Sequence, residues 1–274
     1  MQNQATAPDL TDQDPTDSEL ATRLVLDAST LAAQMRRGGL TTKAKTSVSD
    51  VVTAADLAAE ELVTETLTAL RPDDGIVGEE GTAVTGTTGR TWVIDPVDGT
   101  YNFASGLDYW CSALALRGPD ATSPTGEDAV ILGAVAHEPS GESWLGGPDH
   151  PTTLRGVPVP RLAEQSLDQI SLSTYLHPTL LHDPHAREPF LAMASRAATV
   201  RMLGSGSMDL AGVASGRLGV WAQHSTPSWD WLPGAALVRG AGGVARTHLH
   251  RGLRWHVAGN RLVVEQVIEL LTGA

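Results

Sequence analysis

A layered α+β or α/β architecture is the fold class this sequence predicts, on three observations. Helix-type and strand-type periodicities alternate in blocks, not in the strict βαβ rhythm of a Rossmann sheet. Apolar residues fill 41% of the 274 positions, enough for a packed core and too many for a mainly disordered chain. Short apolar runs end at Gly, Pro and Asp, as strands do when they deliver loops to one edge of a sheet.

The first 19 residues carry five acids (Asp9, Asp12, Asp14, Asp17, Glu19), no Lys or Arg, and little to bury. Residues 1–18 therefore read as a disordered acidic leader. From Leu20 an Ala- and Leu-rich helical run extends to Gly38-Gly39. Residues 45–52 (KTSVSDVV) read as a short connection before a second helix at 54–70, where Val63, Leu67 and Leu70 share one face. Ile76-Val77 and residues 91–94 are short strands, the second ending at Asp95-Pro96. Longer strands follow at 111–117 and 129–137, separated by a turn-rich loop at 118–128, and Trp144-Leu145 begins a third. The remaining pattern predicts strands at 169–173, 200–203, 220–221 and 244–247. It predicts helices at 189–197, 208–215, 232–241 and 262–271.

Composition excludes several function classes. A formal net charge of −13 disfavours nucleic acid and anionic lipid, which both need a basic patch. A single cysteine, Cys111, cannot form an internal disulfide. No apolar run reaches the roughly 18–20 residues needed to cross a bilayer, and no secretory pattern opens the chain, so the expectation is a cytoplasmic protein that contacts no membrane.

The chemistry concentrates in WVIDPVDGTYNF, residues 92–103. An apolar strand brings Asp95 to its end, Pro96 stiffens the turn, and Asp98 follows with the Val97 carbonyl between the two carboxylates. These are hard oxygen ligands suited to magnesium, and the N–H groups of Gly99 and Thr100 beside them suit a phosphate. The same residue types also make ordinary turns. Gly78-Glu79-Glu80 ends the preceding strand, so pairing of the two strands places Glu79 beside Asp95. Asp230 lies at the start of a later helix, where alone it reads as an N-terminal cap, and Thr53-x-x-Asp56 alone reads as a capping box.

Taken in order, KTSVSDVVTAAD, GEE, WVIDPVDGTYNF, GSGSMDLAGVASGRL (204–218) and WDWLPGAALVRGAGG (229–243) resemble the inositol monophosphatase family of metal-dependent, lithium-sensitive phosphatases. The resemblance runs from about Leu20 to the C-terminus. It implies an αβαβα layered sandwich of the inositol monophosphatase and fructose-1,6-bisphosphatase type, spanning 19–274 with a metal-binding half at 19–150 and a substrate-side half at 151–274. It also implies a homodimer and two to three Mg2+ ions per subunit. Glu79, Asp95 and the Val97 carbonyl would hold one ion; Asp95, Asp98 and Asp230 a second; a third, weaker one would lie near Glu79. Thr100 and Glu79 would hold and deprotonate the attacking water, with Asp56 accepting from the Thr100 hydroxyl. Gly99 and Thr100 would bind phosphate, and Ser205, Gly206 and Gln223 would face the substrate.

Gln223 stands where inositol-selective members commonly carry glutamate, and Gly219 where the family often has aspartate. Inositol monophosphate is the first substrate expected, then histidinol phosphate, then 3′-phosphoadenosine 5′-phosphate. A catalytically silent ligand-binding relative is the alternative of a different class; the intact set of Glu79, Asp95, Asp98, Thr100 and Asp230 speaks against it. The nine histidines lack the framing of a zinc site, Gly204-x-Gly206 lacks the third glycine of a dinucleotide fingerprint, and Trp92, Trp110, Trp144 and Cys111 read as core.

Overall fold

Trp92 and Val93, neighbours in the chain, belong to two different cores, and this alternation organises the molecule. The structure, a computed structural model, describes residues 14–39, 42–44, 51–119 and 129–272. Its helices are α1 (Asp17–Gly38), α2 (Ala54–Leu70), α3 (Thr100–Ser105), α4 (Pro184–Ala194), α5 (Gly206–Ala214), α6 (Ser228–Gly240) and α7 (Arg261–Thr272). Strands β1 (Thr42–Ala44) and β2 (Val51–Thr53) pair as a small antiparallel ladder ahead of α2.

The larger sheet contains β3 (Gly75–Gly78), β4 (Ala83–Val84), β5 (Thr91–Asp98), β6 (Cys111–Arg117), β7 (Val130–His137), β8 (Glu142–Gly147), β9 (His150–Leu154) and β10 (Val157–Pro158). Their order is β10-β9-β8-β7-β6-β5-β3-β4, and only β3 and β5 run parallel. The smaller sheet holds β11 (Ser171–Ser173), β12 (Thr199–Arg201), β13 (Val220–His224), β14 (Val244–His250) and β15 (Leu253–Gly259), in the order β12-β11-β13-β15-β14. The change of sheet falls between Pro158 and Ser171.

Side chains on alternate faces make five layers, αβαβα. Trp92, Ile94, Leu114 and Leu132 face α1 and α2, whose Leu20, Leu24, Val63 and Leu67 complete one core. Val93, Ala113 and Val135 face the opposite way, onto Leu210 and Val213 of α5 and Leu232 and Leu237 of α6. Trp221 and Ala258 of the smaller sheet close that middle layer from the other side. The outer face of the smaller sheet packs Leu172, Val220 and Val257 against Met193 of α4 and Val263, Val264 and Val267 of α7. Trp92, Trp110, Trp144 and Cys111 are all buried, as the sequence predicts.

Several boundaries differ from expectation, each for a local reason. Thr16 caps α1 in a reciprocal box with Glu19, so the helix starts at Asp17 and not Leu20. Asp14 and Asp17 then pair with Arg71 at 2.8 and 2.9 Å, and Asp17 with Arg90 at 2.7 Å, tying the last part of the acidic stretch to the end of α2. Residues 1–13 of the expected leader, 45–50 of the expected connection and 120–128 of the expected loop lie outside the described residues.

Strand β5 continues past Pro96 to Asp98 through an irregularity in its pairing with β6, where proline has no N–H to give. Ser112 Oγ donates to the Pro96 carbonyl at 2.6 Å across that gap. Helix α4 starts at Pro184, because Asp183 caps it and proline suits the first helical position, with Pro189 carried inside. Strand β15 is absent from the sequence reading. It pairs with both β13 and β14, turning out of β14 at Arg251-Gly252, whose φ angles of 51° and 82° fit a tight hairpin.

Candidate active site

Parallel pairing of β3 with β5 sets Gly78 beside Ile94. Glu79 therefore follows at the strand ends next to Asp95, and its N–H donates to the Ile94 carbonyl at 3.2 Å. Asp230 arrives from the other direction, in the first turn of α6. That helix starts at Ser228, with Pro227 at the cap position and no side-chain cap, so the reading of Asp230 as an N-terminal cap is corrected. Asp95, Asp98 and Asp230 each place a carboxylate oxygen within 4.8 Å of the other two; among the described residues no other group of acids, histidines or cysteine gathers in this way.

The electrostatics of this cluster are unfavourable without a cation. Burial pushes the Asp95 carboxyl well above the ordinary carboxylate range, and the charges of Glu79, Asp98 and Asp230 push it further. Burial also raises Asp98, partly offset by N–H donation from Ser207 at 2.5 Å and Gly206 at 3.2 Å, at the start of α5. Asp95 Oδ1 is buried and has no hydrogen-bond donor. An unsatisfied anionic oxygen facing two more carboxylates fits a divalent cation of hard character, and fits nothing neutral as well.

Thr100 and Asp56 form the adjoining wall. Thr100 Oγ1 lies 3.1 Å from Asp56 Oδ1 and 3.0 Å from the Val97 carbonyl, either of which can accept its proton. The other oxygen of Asp56 accepts from the Thr53 N–H at 3.0 Å and from the Thr53 hydroxyl. Asp56 is thus both the capping-box partner of α2 and a fixed acceptor for Thr100. Burial pushes it up to about 6 despite these bonds.

Gly99 takes φ 94°, and a Cβ there would lie 3.0–3.1 Å from Gly204 O, Ser205 Cβ and Tyr109 O, so only glycine lets the two loops meet. Asn102 locks them together: its Nδ2 donates to the Tyr109 carbonyl at 2.9 Å and the Leu203 carbonyl at 2.7 Å. Asn102→Ala is expected to loosen the 203–206 loop, lowering kcat/KM about tenfold and the Tm by several degrees; steady-state kinetics and calorimetry check this.

A profile of the inositol monophosphatase family matches residues 14–270. The chain belongs to the inositol monophosphatase family. It is accordingly a phosphomonoester hydrolase. An inositol-1-monophosphatase of Mycobacterium leprae is 33% identical over 233 residues, covering 83% of this chain and 77% of its own. A histidinol-phosphatase of Mycobacterium tuberculosis is 34% identical over 194 residues, covering 70% and 72%. The solved inositol monophosphatase of Anabaena superposes with a TM-score of 0.79 over 94% of this chain and 96% of its own, at 23% identity, and shares the αβαβα fold.

The acidic cluster of this inositol monophosphatase family member opens on a cavity. It encloses about 580 Å3 and is lined by every expected site residue except Asp56, which lies buried behind Thr100. Ser205 and Gly206 line it too, although the Ser205 hydroxyl caps α5 by accepting from Met208 N–H at 3.4 Å and the Gly206 N–H goes to Asp98. Gln223 reaches it from β13. Gly219 has no room for a side chain: a Cβ would lie 2.4 Å from that of Ile170, which fills the space an aspartate would need.

Sequence reading did not single out Asp209, Tyr109, Tyr101, Tyr175 or Met202, and weighed His177 only as a zinc ligand, which it rejected. Buried Asp209 lines the cavity, accepts from the Tyr109 hydroxyl at 2.6 Å and is pushed up to about 7 by burial. Tyr101, Tyr175 and Met202 stand 52%, 41% and 46% exposed at the mouth, with Tyr175 edge-on to His177. Cys111 lies beneath the floor with its Sγ 3.7 Å from Ser205 Oγ. Trp231, next to Asp230, is buried and stacked on Trp221 at 5.7 Å.

Proposed function

We propose that this protein hydrolyses the phosphate monoester of a small polyol, inositol monophosphate first, with magnesium as cofactor. The observation that carries the reading is the convergence of the Asp95, Asp98 and Asp230 carboxylates on a cavity of about 580 Å3 beside the Gly99-Thr100 turn. Glu79, Asp95 and the Val97 carbonyl would hold one ion, Asp95, Asp98 and Asp230 a second, and the Glu79 side a third, weaker one. Bound there, magnesium supplies Lewis acidity for water and for the leaving oxygen.

The chain's own residues do the positioning. Asp56 holds Thr100 so that its hydroxyl faces the cavity as a fixed partner for the attacking water, and Glu79 accepts that water's proton. The N–H groups of Gly99 and Thr100, free of intrahelical partners at the start of α3, take phosphate oxygens. Ser205, Gly206 and Gln223 meet the hydroxyls of the leaving group.

A second reading, histidinol phosphate, is favoured by the aromatic mouth, where Tyr101, Tyr175 and His177 offer ring surface to an imidazole. A substrate with two phosphate groups is disfavoured, since no Lys or Arg among the described residues lines the cavity. We carry with this reading a cytoplasmic homodimer, checked by sedimentation equilibrium; no described helix is long and apolar enough to cross a membrane.

The test is phosphate release from inositol monophosphate, histidinol phosphate, fructose 1,6-bisphosphate and 3′-phosphoadenosine 5′-phosphate, with magnesium and with chelator. Magnesium-dependent release from a monophosphate, at least tenfold above the bisphosphates in kcat/KM, is the expected result. Release indifferent to chelator overturns the metal reading, and silence on every compound favours a noncatalytic relative.

A further inference from the structure

Glu60 is a carboxylate turned inward from α2, 3% exposed. Its Oε2 accepts from the Glu80 N–H at 2.8 Å and its Oε1 from the Thr82 N–H at 3.0 Å. The other N–H groups of that turn are also accounted for. Gly78 donates to the Thr82 carbonyl at 2.8 Å, Glu79 to Ile94 at 3.2 Å and Gly81 to Gly78 at 3.4 Å. Both oxygens of one buried carboxylate therefore close the five-residue loop that carries Glu79. Gly78 makes this possible, because a Cβ at that position would lie 2.3 Å from Glu60 Cδ. Desolvating a carboxylate is unfavourable unless its oxygens are hydrogen-bonded, and here both bonds land on this one turn.

We infer that Glu60 is a positioning residue: it holds the Gly78–Thr82 turn so that Glu79 faces Asp95, and so sets the affinity of that side of the acidic basin for a divalent cation. The inference rests on the assignment of Glu79 as a ligand made above. Glu60 does not line the cavity. A side chain that merely fastened α2 to the sheet would alter melting temperature and leave cation affinity untouched.

The experiment is a Mn2+ titration of the full chain, followed by calorimetry and by the electron paramagnetic resonance of free Mn2+. Glu60→Gln keeps the volume but turns one acceptor into an NH2 group facing a backbone N–H. It is expected to weaken Mn2+ binding at least tenfold with the circular dichroism spectrum unchanged. Glu79→Gln should weaken binding comparably, and the double variant should bind no more than about threefold weaker than Glu79→Gln, since both changes act through one group.

Gly78→Ala drives a methyl against the Glu60 carboxylate while leaving every charge in place; it should reproduce the loss and serves as the test where Glu60→Gln does not fold. Parental Mn2+ affinity in a folded Glu60→Gln or Gly78→Ala protein overturns the inference, as do fully additive losses in the double variant. Parental affinity in Glu79→Gln overturns the ligand assignment itself, and the inference with it. Weakening in Glu79→Gln alone removes only the role of Glu60.

Discussion

Asparagine at position 95 is expected to lower kcat by at least about a thousandfold, a barrier increase of about 4 kcal/mol, with the fold intact. Asp95 is the most deeply buried member of the cluster, its Oδ1 has no donor, and in the proposed arrangement it serves both ions. An amide of the same size keeps the packing, withdraws one negative charge and presents an NH2 to the neighbouring carboxylates. In chelator the same change should therefore raise the Tm, because it relieves repulsion among buried like charges. Phosphate release at saturating magnesium, with scanning calorimetry in chelator, measures both effects. Turnover within tenfold of the parent at ordinary magnesium contradicts the shared role of Asp95.

Magnesium itself is expected to raise the Tm, and by more at pH 8 than at pH 5. Asp56 and Asp209 sit at about 6 and about 7 in the folded chain, and Asp95 and Asp98 are raised in the same direction, against about 3.9 for an unfolded aspartate. A raised carboxyl binds more protons folded than unfolded. Its contribution is thus fully present below about pH 4 and is lost as pH climbs through 6 and 7. In chelator Asp56 and Asp209 weaken the protein across that window, and Asp95 and Asp98 act in the same direction.

A cation replaces the missing protons at Asp95 and Asp98. At a hundredfold excess over its dissociation constant it adds about 2.7 kcal/mol, or roughly 5–10 °C for a chain of this size. At pH 5 protons compete for the same oxygens and the increment shrinks. Calorimetry at pH 5, 6.5 and 8, with and without magnesium, checks this; an increment that falls with rising pH runs against it.

What was legible in the sequence was local. Val63, Leu67 and Leu70 define the inner face of α2, and the apolar run at 111–117 is β6 to the residue. WVIDPVDGT announces its carboxylates because Asp, Pro and Gly at that spacing make a stiff oxygen-rich turn. The starts of α1 and α4 follow local caps, Thr16 and Asp183, that the apolar pattern does not report. α6 starts four residues before its apolar run, where nothing local marks a cap, and that moves Asp230 from cap to first turn.

β15 was legible and passed over: Leu253, Trp255 and Val257 alternate with Arg254 and His256 as in a half-buried strand, just after the Arg251-Gly252 turn. Glu60 looks like one more surface acid in AAEEL, and only β3 arriving alongside α2 reveals it as buried. Tyr109 and Asp209, a hundred residues apart, carry no mark of their pairing at all.

α5 and α6 are a common middle layer, gripped by the larger sheet through Val93 and Val135 and by the smaller one through Trp221 and Ala258. Rotating one sheet against the other would crack that shared interior and strip Asp98 of the N–H groups it receives from the first turn of α5. Among the described residues, the two walls of the crevice are therefore joined through one interior. The cavity between them is thus walled by packing that the chain already holds, with Tyr101, Tyr175 and Met202 exposed at its mouth.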